Sequence, residues 1–169
     1  MSKLTKPLLA ELEQESAATR RVLEAVPADK LDWKPTEISM TLGELALHVA
    51  MTPKFFANFM ETDSLDRSEV EFDSRPQPAT KDELVPALEA AIGETTKILS
   101  SWNDEYAAAT WRFTSEGKDL IAAPRVALFR TLGLNHMVHH RGQLSTYLRL
   151  LGGPVPSVYG PTADDNPFD

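Results

Sequence analysis

Residues 135–144 read NHMVHHRGQL, and the run continues as STYLRLLGG to Gly153. It holds three of the chain's four histidines, His136, His139 and His140, set among apolar residues. Residues four apart on a helix stand one above the other, so His136 and His140 share a face with about 5–6 Å between their Cβ atoms. Both imidazoles can then reach one ion at about 2.0–2.1 Å from each nitrogen. His139 points about 100° away from His140 and cannot serve the same ion with it. It belongs at the edge of the stripe, beside the site or on the surface. Read as a helix, this stretch carries an inward stripe of Val126, Phe129, Gly133, His136, His140, Leu144, Tyr147 and Leu151. Pro124 suits its first turn, and Gly152-Gly153-Pro154 ends it.

Three more amphipathic segments precede it. The first, about Thr5 to Val26, lines up Leu8, Leu12, Thr19, Val22, Leu23 and Val26 and stops at Pro27. After it, Trp33 is expected to pack back onto the bundle. The second opens with the capping box TLGE, in which Thr41 caps and Glu44 reaches back. Its face carries Leu45, His48, Val49, Thr52, Phe55, Phe56 and Phe59. Pro53 predicts a kink just after His48. A polar loop, ETDSLDRSEVEFDSRPQPA, leads to the third segment, with a second box in TKDE and a stripe of Leu84, Leu88, Ile92, Thr95 and Leu99. Pro86 argues that this helix starts two residues later than its box suggests. Residues 102–123 fit a short hairpin around Ser115-Glu116-Gly117 or a loop equally well. Four such segments predict an all-α fold, a four-helix bundle in one domain over residues 1–169, with a Pro/Asp-rich tail at 154–169.

Composition narrows the function. The chain has 169 residues, 42% of them apolar and 25% charged, as in ordinary globular proteins. Nothing approaches the ~20 consecutive apolar residues of a membrane span, and MSKLTKPLLAELEQES turns acidic too early for a signal peptide. A cytoplasmic protein with no membrane partner is expected. Net charge is −8 and no basic stripe carries interleaved aromatics, which disfavours nucleic acid. There is no cysteine, so a metal would need nitrogen or oxygen ligands and a thiol nucleophile would have to arrive from outside.

A third ligand is available in His48, which lies on the core face of the second segment. Each core-facing histidine must find a partner or cost about 1–3 kcal/mol, and one shared ion satisfies all three. A hydrogen-bonded histidine network is the competing explanation. Met137 and Val138 follow His136, so H-E-x-x-H is absent, and the inward glutamates of a di-iron bundle are missing. Three neutral imidazoles leave a divalent ion its full charge and an open position, which suits a Lewis acid. Zinc is the first expectation, with nickel, manganese or iron accepted by the same ligands. Thr52 and Gln143 are placed to orient ligands or substrate, against an equal case for local backbone bonding. Tyr147 fits a pocket wall or a core aromatic, and Glu44 fits its capping box better than an acid–base role. Arg141 fits a salt bridge better than an anion site. Tyr159, in the tail, is a candidate for the pocket mouth, and Phe55, Phe56 and Phe59 for an apolar pocket or plain core.

LNHMVHHRGQLSTYLRLLGG (134–153), then PVPSVYGPTADD, resembles the closing helix and tail of the DinB/YfiT-like superfamily. LGELALHVAMTPKFF (42–56) resembles that family's second helix. The resemblance implies an up-down-down-up four-helix bundle and a metal triad falling on His48, His136 and His140. It further implies a metal-dependent enzyme acting on a small molecule with a low-molecular-weight thiol cosubstrate, and it is compatible with a homodimer. The leading expectation is a thiol S-transferase acting on small electrophiles. The alternatives are a non-catalytic metal- or ligand-binding bundle and a metal-dependent hydrolase of small molecules.

Overall fold

The computed structural model describes residues 2–71 and 74–168, so residues 72 and 73 of the expected polar loop lie outside the described residues. Four long helical stretches dominate: α1 (Thr5–Glu24), α2 (Leu42–Phe59), α3 (Leu84–Ser101) and a final run divided by winding. A one-turn helix, α4 (Asp104–Ala108), follows α3. The final run comprises α5 (Arg125–Leu128), a π-helical stretch (Phe129–Asn135) and α6 (His136–Leu150). Helices α1 and α2 each pack against both α3 and α6 but barely touch one another. Consecutive helices α1 and α2 therefore stand diagonally, and α2 lies beside α6.

Local chemistry explains most of these elements. The stripe of α1 is buried as predicted, with the unexpected addition of Glu15. The capping box of α2 is formed: the Thr41 N–H donates to Glu44 Oε2 at 2.8 Å, and the Glu44 N–H to Thr41 Oγ1 at 3.1 Å. Helix α2 runs unbroken through Pro53. The second box is also present, but a 3₁₀ turn (Lys81–Glu83) intervenes before α3 begins at Leu84, which leaves Pro86 harmlessly in the first turn. Trp33 packs back as expected, edge-on to Tyr147 with ring centroids 5.5 Å apart.

The fold is not purely helical. Residues 110–124 form a hairpin, β2 (Thr110–Ser115) and β3 (Lys118–Pro124), joined at Glu116-Gly117. Both turn residues have positive φ, 52° and 75°, the backbone that matches strand twist in a two-residue hairpin. A three-residue strand, β1 (Ser64–Asp66), arises inside the expected polar loop and pairs parallel to β2. Pro124 ends β3 instead of opening the last helix, which begins at Arg125. Arg125 is buried and fastens this region to the end of α2. Its Nε donates to the Met60 carbonyl at 3.1 Å and an Nη to that of Thr62 at 2.9 Å, with Asp63 as its ion-pair partner.

The π stretch alters the predicted face of the last helix. Its i→i+5 winding takes up an extra residue, so the buried seam passes from Phe129 and Gly133 to Met137, Arg141, Leu144 and Leu148. His136, His140 and Tyr147 stand beside that seam, half-buried. Gly133 is required where the winding changes, since a Cβ there would lie 2.8 Å from the Phe129 ring.

Candidate metal centre

The histidines from α2 and α6 meet. His48 Nε2 is 3.5 Å from His136 Nε2, which is 2.7 Å from His140 Nε2. The ligand atoms of all three lie within 4.8 Å of one another, and each ring is half-buried. The i,i+4 pair arises from helical spacing alone; His48 is delivered by the α2–α6 contact.

A neighbouring side chain engages one nitrogen of His140. His140 Nδ1 is 2.7 Å from Gln143 Oε1, and the Gln143 amide nitrogen is 3.1 Å from His139 Nε2. The amide oxygen can only accept, so His140 carries its proton on Nδ1. The Leu132 backbone, one turn earlier, favours the charged form of the His136 ring. The bare lone pair of His140 is on Nε2 and is directed at His136 Nε2, 2.7 Å away. At that distance it is met by a proton on His136 or by a cation that both rings share. This donor set fits a divalent ion bound by nitrogen, and the outer nitrogen of His140 is tied as in metal-ligating histidines.

Burial, then the neighbouring imidazoles His140 and His136 and the charge of Arg75, pushes His48 down to about 4. Burial, then His140 and His139, does the same to His136, also to about 4, against the opposing bond to Leu132. His140 is lowered as well, chiefly by burial. The three rings are neutral at pH 7, the protonation state a metal ligand needs.

A cleft of about 430 Å³ opens beside the cluster and reaches it at His140 and Gln143. Met40, Ile38 and Tyr147 give it an apolar wall, and Arg75 lines it too. Tyr147 is therefore a pocket residue, and Gln143 and His139 form a chain behind His140. Other candidates turn away from the cluster. Of the two readings open for Thr52 the local one holds: its hydroxyl donates to the His48 carbonyl at 2.6 Å. Arg141 makes the favoured salt bridge in the α1–α6 seam, pairing with Glu15 at 2.7 Å and donating to Thr19 Oγ1 at 3.1 Å. Tyr159 is on that far side as well, its hydroxyl 2.7 Å from Arg141 and 2.8 Å from Glu15. Phe55, Phe56 and Phe59 do not line the cleft. They make a partly exposed cluster in which Phe59 packs against the core and Phe56 lies 5.6 Å from the His136 ring. Sequence reasoning missed Arg75, for which no local signal existed.

Comparison with known proteins gives a consistent result. The DinB family model matches residues 1–166. The uncharacterized protein YrdA of Bacillus subtilis is 25% identical over 158 residues, covering 93% of this chain and 89% of YrdA. Among solved structures, a DinB-like protein from Bacillus cereus superimposes with a TM-score of 0.71 at 22% identity, covering 89% of this chain and 95% of that one. YfiT from Bacillus subtilis, described as a probable metal-dependent hydrolase with an unusual four-helix bundle topology, gives 0.61 at 19% identity with 90% of each chain covered.

Proposed function

The chain belongs to the DinB family, and on that premise we propose that it is a divalent-metal-dependent enzyme whose ion is held by His48, His136 and His140. The observation that carries this reading is the convergence of three neutral imidazoles, their ligand atoms within 4.8 Å of one another, with the outer nitrogen of His140 held by Gln143. An ion bound there would act as a Lewis acid, lowering the pKa of a thiol or water at its open position. The protein's own residues do the rest. Gln143 fixes the ring of His140, burial keeps all three imidazoles neutral, and Met40, Ile38 and Tyr147 shelter the apolar part of a substrate from water.

The finer reading is a thiol S-transferase acting on a small electrophile. Its support is chemical: the chain has no cysteine, so a thiol nucleophile would have to enter with a cosubstrate, and the cleft at His140 has room for one. Metal-dependent hydrolysis is the second reading, favoured by the description of YfiT. Zinc is the first choice of ion.

The deciding experiment is elemental analysis of untagged protein purified without chelator, wild type beside His136→Ala and His140→Ala. About one ion per chain in the wild type, lost from both folded variants, is expected for a site of this ligand count. A wild type that carries no metal and takes up none at neutral pH overturns the proposal. Turnover of a chromogenic aryl chloride with and without added thiol then separates transfer from hydrolysis.

A further inference from the structure

We propose that Arg75 recognises an oxyanion, a carboxylate or phosphate group, on the substrate that occupies the cleft. This deepens the reading above and depends on it only in placing the reacting centre at the histidines. The first observation is electrostatic. The chain carries 25 acidic residues and a net charge of −8, yet no Asp or Glu lines the cleft and Arg75 is its one formal charge among the described residues. A divalent ion beside it would make the cleft still more cationic. The cleft is therefore built for negative charge in a molecule that is otherwise negative.

The second observation concerns the other arginines. Arg20, Arg112, Arg125, Arg130, Arg141 and Arg149 are each ion-paired to a carboxylate, and Arg21 is engaged instead by the carbonyls of Ala17 and Ser157. Among the described residues Arg75 has no ion pair and no hydrogen bond. Its planar fork is thus available for two parallel bonds to a carboxylate or phosphate.

The third is preorganisation. Pro76 restricts Arg75 to extended backbone. Two residues on, the Gln77 side chain accepts from Thr41 Oγ1 at 2.7 Å and donates to Asp32 at 3.1 Å. It lies so close to Gly43 that a Cβ there would be 2.8 Å from its nitrogen. The segment bearing Arg75 is thereby tied to the start of α2, the helix that carries His48. Ile38, also lining the cleft, is 91% exposed, and Met40 and Tyr147 continue the apolar surface. The ligand class that matches is a small molecule with an apolar body and one oxyanion.

The test uses zinc-loaded and metal-free protein titrated with phenylacetate, phenyl phosphate and neutral phenylacetamide, read by calorimetry and by amide chemical shifts. Both anions should bind roughly tenfold or more tightly than the amide, as a charge-assisted pair to a partly exposed arginine allows, with shifts at Met40, Gln143 and Tyr147. Arg75→Gln should erase that preference, and Arg75→Lys should keep part of it. The probe that loses more in Arg75→Gln identifies which oxyanion fits the fork. Equal binding of phenylacetate and phenylacetamide, an unchanged preference in Arg75→Gln, or no saturable shift from either anion overturns the inference. A preference that ignores Arg75 but vanishes with zinc would place the anion on the metal, overturning this inference and leaving the metal site standing. An Arg75-dependent preference in protein that never takes up zinc does the reverse.

Discussion

His140 and Arg141 are consecutive on α6, yet they belong to two different seams of the bundle. On the α1 side, Arg141 is buried with Glu15, Thr19 and the Tyr159 hydroxyl, and every charge there meets its opposite. On the α2 side, His136 and His140 are half-buried and uncharged, converge on His48 with ligand atoms within 4.8 Å of one another, and open onto a cleft. One side is closed and satisfied within the chain; the other gathers three neutral imidazoles beside open space. A buried polar cluster that completes its own ion pairs is a structural fixture, while one that gathers shifted titratable groups at a cleft is a candidate site.

The sharpest way to separate the two seams is to break the closed one. Arg141→Ala strands the Glu15 carboxylate in the interior and should cost about 3–5 kcal/mol in chemical denaturation of metal-free protein. The folded fraction should still take up metal as the wild type does. Loss of metal uptake with stability unchanged would mean that the two seams are not independent. The next largest effect tests the open seam. Gln143→Ala frees the His140 ring from its oxygen anchor and should weaken metal affinity about 10–100-fold in a chelator competition, with little change in folding. Unchanged affinity would reduce Gln143 to a surface bond with His139.

The smallest effect is in pH. His48 and His136 sit at about 4 in the folded chain against an ordinary 6.5, so between those values the unfolded chain binds more protons than the folded one. Their contribution to stability is complete above pH 6.5 and declines as pH falls from there toward 4. The melting temperature of metal-free protein should drop across that window, and less so in a His48→Asn variant. A flat profile in the wild type would show that the rings are as easily protonated in the bundle as outside it.

Much of this comparison was legible in the sequence. The α1 stripe, the Thr41–Glu44 box and the i,i+4 histidines follow from spacing, which is local chemistry. What escaped depends on partners far along the chain. Arg141 and Glu15 are 126 residues apart, and neither betrays burial by itself. β1 is three residues long and exists only because β2 lies beside it. The diagonal placement of α1 and α2 is likewise set by packing, and no residue pattern encodes it. The phase of α6 was misread for a different reason: a helical wheel drawn through residues 126–151 assumes uniform winding, and the π stretch breaks that assumption without any marker in composition.

That π stretch gives the helix a tolerance best stated in genetic terms. Between Phe129 and Asn135 the chain carries one residue more than regular α-helical winding needs. Losing a codon there would let the turn rewind as ordinary helix while His136 still faced α2 and Arg141 still faced α1. Losing one between His136 and His140 would split the pair across two faces. Length can therefore drift on one side of Asn135 and is fixed on the other, so deletions among natural relatives of this helix should cluster before the histidines and stop at them.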